Sequence, residues 1–194
     1  MTPLEIKNKR LFFRYITENP DPEKVATWLS KGFVCEAYKK VVVSEAVVLL
    51  VAGRSRFRYL EEDEGKISVR IANQYLLLDF LMANGASLNK TYDRNGETAL
   101  TIACGITRKE FDDELINKLL ALGSDPNDVD KVTSRVQVGM IVPQNALQKA
   151  CVSNFILIPC LLNHGAKISQ NKTEELSLLL TRLRLNCRQC LKPA

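Results

Sequence analysis

Asn95-Gly96-Glu97-Thr98-Ala99-Leu100-Thr101-Ile102-Ala103, read with Leu119-Leu120-Ala121-Leu122-Gly123-Ser124-Asp125-Pro126-Asn127 downstream, holds a turn, a capped helix, a second helix, a glycine stop and another turn. Asn95-Gly96 signals the turn, because glycine reaches positive φ at little cost. Thr98 stands where its hydroxyl can accept from an orphan amide of the first helical turn. Leu100 and Ala103 fall three apart on one helix face. Leu115, Ile116, Leu119 and Leu120 form the apolar stripe of a second helix. Gly123 sits where that helix should end in a left-handed residue, and Asp125-Pro126-Asn127 cannot continue it.

This unit resembles an ankyrin repeat, whose consensus runs roughly D-x-x-G-x-T-P-L-H-x-A and ends L-L-x-x-G-A-D-x-N. Asp93, Gly96, Thr98, Leu100, Ala103, Leu119, Leu120, Gly123, Asp125 and Asn127 match it. Ala99 replaces the proline and is a good helix former. Thr101 replaces the histidine, a change expected to remove some loop-anchoring hydrogen bonds. Such a unit cannot bury its apolar face alone and must stack on copies of itself.

Three further helix ends carry the same leucine-x-x-glycine stop: Leu29 to Phe33, Leu81 to Asn89, and Leu161 to Ile168. Their glycines, Gly32, Gly85, Gly123 and Gly165, are 53, 38 and 42 residues apart. The family period is about 33, so the excess is expected as loop. Helix pairs are expected before each stop: Lys9 to Ile16 with Pro22 to Leu29, Ser44 to Ala52 with Val69 to Met82, and Asn145 to Cys151 with Phe155 to Leu162. An insertion is expected between the second pair, at about Gly53–Ser68. Ala146-Leu147-x-x-Ala150 repeats the Ala99-Leu100-x-x-Ala103 pattern. The expected fold is therefore an all-α ankyrin-repeat solenoid in a single domain, 1–194. Its repeats fall near 9–33, 44–89, 97–127 and 145–168, with a capping helix or half-repeat at 173–190.

Composition sets bounds. The apolar share, 46% of 194 residues, suffices for a core, and glycine and proline are too few for wholesale disorder. Val41 to Ala52 is too short to span a bilayer, and the N-terminus lacks a secretory apolar region. A location in the cytoplasm is expected, the host's if the chain is exported. Four of the six cysteines fall on or near apolar helix faces, as free thiols do in a reduced compartment. Cys187-x-x-Cys190 has no second ligand pair for zinc. Residues 1–60 carry a net +5, residues 61–165 a net −4, and residues 166–194 a net +4.

Carried over by position from the family, the turn tips and first helices line a concave, partner-binding side. The tip after the first repeat holds Glu36, Tyr38, Lys39 and Lys40. The next holds Lys90, Tyr92 and Arg94, and the one after it Asp128, Asp130, Lys131 and Arg135. The partner-binding candidates are Tyr38, Lys39, Lys90, Tyr92, Arg94, Lys131 and Arg135. Tyr38 and Tyr92 recur at similar places and could form an aromatic ridge, or each could cap its own loop. A second candidate is the insertion, where Arg54, Arg56, Phe57, Arg58 and Tyr59 precede the acidic run Glu61 to Glu64. That loop is either a projecting contact for a charged partner or a self-compensating solvated segment. The acidic run would repel phosphate, so nucleic acid is not an expected partner.

No nucleophile–base pair, phosphate loop or metal motif appears, so no catalytic, metal or cofactor residues are assigned and no cofactor is expected. His164, the one histidine, reads as a helix-end residue facing the last carbonyls. The expected function is a monomeric module that binds another protein. The resemblance extends to small irregular ankyrin proteins that act as translocated effectors of intracellular bacteria or as viral host-modulating proteins. Alternatives are an adaptor that recruits a ubiquitin-ligase-type complex through the leucine-rich basic stretch Glu174 to Leu185, and an enzyme with an unrecognised site.

Overall fold

The computed structural model of the chain describes residues 3–18, 20–32, 36–54, 64–93, 96–105, 109–131 and 144–167. The described residues form α1 (Pro3–Glu18), α2 (Pro22–Ser30), α3 (Glu36–Arg54), α4 (Glu64–Ala83), α5 (Ala99–Gly105), α6 (Lys109–Ala121), α7 (Ala146–Ser153), a 3-10 turn (Phe155–Leu157) and α8 (Ile158–Asn163). Helix dominates as the repeat pattern requires, and the fold is all-α. Among the described residues no helix is long and apolar enough to cross a membrane. The contacts fall into two compact units, Met1–Ala99 and Leu100–Ala194.

In the first unit α3 packs on α1 and α4, and α2 packs on α1 and α4. Asp21 caps α2 by accepting the amides of Glu23 and Lys24 at 3.0 and 3.2 Å, and Pro22 occupies the first turn, where its missing N–H costs nothing. Phe12, Ile16 and Val25 are fully buried there, with the Phe12 ring centroid 6.4 Å from that of Trp28. Val42, Val43, Ala46, Val47, Val48, Leu50 and Val51 bury α3 on most of its sides. Valine is a weak helix former, so burial rather than propensity holds this helix.

Two boundaries differ from the sequence expectation. Helix α3 begins at Glu36 rather than Ser44, because Glu36, Ala37, Lys39 and Lys40 are good helix formers that extend the valine-rich stretch backwards. Helix α4 begins at Glu64 rather than Val69, so residues 64–68 are helical and not part of an inserted loop. The rest of that insertion, residues 55–63, lies outside the described residues, as do residues 168–194 with the expected C-terminal cap.

In α5, which begins at the boundary of the two units, Ala99, Leu100 and Ala103 are buried, and in α7 of the second unit so are Ala146, Leu147 and Ala150. Asn145 and Gln148 form a reciprocal capping box at α7: the Gln148 amide donates to Asn145 Oδ1 at 2.9 Å, and the Asn145 amide to Gln148 Oε1 at 2.8 Å. Leu115, Ile116, Leu119 and Leu120 turn the expected face of α6 inward.

The four glycine stops all adopt positive φ: Gly32 66°, Gly85 87°, Gly123 93° and Gly165 84°. Three of them close their helices by the same pair of bonds. The glycine amide reaches Met82, Leu120 or Leu162, and the next amide, of Ala86, Ser124 or Ala166, reaches Leu81, Leu119 or Leu161, all at 3.0–3.1 Å. That is a Schellman closure, repeated at these three stops, and it starts a turn at the same point after each of the three helices.

Candidate functional site

The turn segments are built by short-range bonds from their own polar side chains. In residues 86–98 Tyr92 and Thr98 form an isolated antiparallel bridge. Inside it the Asp93 amide donates to the Glu97 carbonyl at 2.9 Å, and Asp93 Oδ1 accepts the Glu97 amide at 2.8 Å. Gly96 has φ 81° and donates to the Asp93 carbonyl, the turn that Asn95-Gly96 signals. The base is fixed to α3, since the Ser87 amide donates to Ser44 Oγ at 2.8 Å. Lys90 is exposed and holds φ 58°, which places it at the outer bend. Tyr92 is half-buried and shapes the turn rather than projecting from it.

Residues 124–131 form the corresponding turn of the second unit. Asp125 Oδ1 accepts the Asn127 amide at 2.8 Å, and Asp128 Oδ1 accepts the Val129 amide at 3.1 Å. Asn127 reaches forward to the last repeat: its Nδ2 donates to the Gly165 carbonyl at 3.0 Å and its Oδ1 accepts the Lys167 amide at 2.7 Å. Asp130 accepts from the Thr101 hydroxyl at 2.6 Å and lies 3.9 Å from Lys149 Nζ. Threonine at position 101 thus retains one loop-anchoring bond, through Asp130.

Tyr38 and Lys39, expected on a turn tip, stand in the first turns of α3. Tyr38 is 41% exposed and Val41, one turn on, is 50% exposed, whereas residues 42–44 and 46–48 are buried. Lys39 lies 3.4 Å from Glu36, an exposed pair of small energetic weight. Tyr38 and Tyr92 thus occupy different kinds of position, one on a helix and one in a turn. Val41 heads an apolar run and shares its helical phase with the buried Val48, so the sequence pattern does not mark it as exposed. Lys131 is exposed. Arg94, Arg135, Arg56, Phe57, Arg58 and Tyr59 lie outside the described residues, and so does the side chain of Arg54.

Near the end of α8 the Cys160 Sγ lies 3.9 Å from His164 Nδ1. The Cys160 thiol donates to Asn117 Oδ1 at 3.0 Å, while His164 Nδ1 lies 2.9 Å from the Cys160 carbonyl, the helix-end contact expected of it. Burial, with the Asp113 carboxylate second, pushes the Cys160 thiol up, away from the thiolate. Cys104 and Cys151 are free and buried. Among the described residues no cluster of three metal-ligating side chains is present.

Residues 68–111 match the family model for ankyrin repeats, which occur in many copies. The matched stretch runs from α4 through the 86–98 turn and α5 to the start of α6. No curated protein matches the chain. Ankyrin repeats are protein–protein interaction modules and typically carry no catalysis.

Proposed function

We propose that this chain, an ankyrin-repeat protein, binds a partner protein through the open end of α3 and the adjoining 86–98 turn, with no chemistry of its own. The observation that carries this reading is the exposure of Tyr38 and Val41 in the exposed first turns of a helix whose Val42–Ser44 and Ala46–Val48 are buried. Large apolar and tyrosine side chains displayed on a rigid element are the usual anchors of an interface. The Ser87–Ser44 bond holds the turn bearing Lys90 and Tyr92 beside the same helix. Lys39 remains a rim candidate of this surface, and Lys131 a separate candidate on the second unit.

The repeats are read as one domain spanning 1–194, and the chain as acting on proteins of a host cell, in that cell's cytoplasm. The support for the host assignment is the likeness to small ankyrin proteins with irregular repeat spacing.

The test is affinity capture from eukaryotic lysate with the intact chain beside a folded Tyr38→Ala/Val41→Ser/Lys90→Ala variant. Each captured protein is identified and then titrated in purified form. Loss of two anchors should weaken a true partner by about tenfold or more. Equal affinity for both chains would move the interface away from this surface.

A further inference from the structure

We draw no further inference here: the strongest candidate, the exposed apolar stripe of Val69 and Leu76 on α4, carries nothing, because nothing in the structure shows what covers it.

Discussion

The Thr101 hydroxyl donates to Asp130 Oδ1 at 2.6 Å, and Thr101 is fully buried. The same carboxylate faces Lys149 with its second oxygen, and the Asp130 amide donates to the Gln144 carbonyl at 3.0 Å. One residue therefore ties the 124–131 turn to α5 and sits beside α7. Thr101→Val should cost about 1 kcal/mol, the worth of one bond, while Asp130→Ala should cost about 2–3 kcal/mol by stranding a buried hydroxyl. In the double variant the two costs should fall short of additivity by about 1 kcal/mol, as measured by denaturant unfolding. Full additivity would mean that the two side chains are not coupled.

Gly123 and Gly53 should respond to alanine with opposite signs. Gly123 holds φ 93°, and nothing lies within 4 Å of an added Cβ, so only backbone strain opposes the change. Gly123→Ala should cost about 1–2 kcal/mol. Gly53 lies in the last turn of α3, where the nearest atoms to an added Cβ are those of Thr17 at 3.6 Å, an ordinary contact. Gly53→Ala should stabilise by about 0.5–1 kcal/mol. Thermal unfolding of the two variants reads the difference, and a loss at Gly53 as large as that at Gly123 would refute it.

The position after each Schellman glycine supplies a third case. It holds Ala86, Ser124 and Ala166, and of these the serine buries an Oγ with no hydrogen-bond partner. Ser124→Ala removes a desolvated hydroxyl and leaves the backbone bond to Leu119 intact. A gain of about 1 kcal/mol is expected in chemical denaturation. A loss would show that the hydroxyl is satisfied in solution.

What was legible in the sequence follows from how local each cause is. The glycine stops at 32, 85, 123 and 165 were readable because a left-handed helix end is decided by one residue. The Asn145–Gln148 box is equally local, within four residues, yet the repeat pattern alone did not mark it. The start of α3 was readable in principle from Glu36, Ala37 and Lys40, whose helix propensity the repeat template overrode. The Thr101–Asp130 bond joins residues far apart in the chain and leaves no local mark. The exposure of Val41, Val69 and Leu76 was illegible for a different reason: the same residue types fill the core face, and only the partners around a helix decide which side stays open.

The cap of α2 ties stability to pH. Asp21 is held below its ordinary carboxylate value chiefly by the Lys24 amide, against opposing desolvation, with smaller help from the Lys24 charge and the Glu23 amide. A folded pKa below the unfolded one means that the stabilisation is fully present above the unfolded value, about 3.9. It is lost as pH falls through the lower, folded value, because protonation removes the acceptor charge that both amides face. Asp21→Ala should cost about 1 kcal/mol at neutral pH and less in acid. Asp21→Asn keeps a neutral acceptor, so it should be milder than Asp21→Ala and should also draw level with the intact chain as pH falls. Unfolding of the three chains from pH 7 to pH 3 makes the comparison, and a difference between intact chain and Asp21→Asn that stays constant with pH would show that the charge plays no part in the cap.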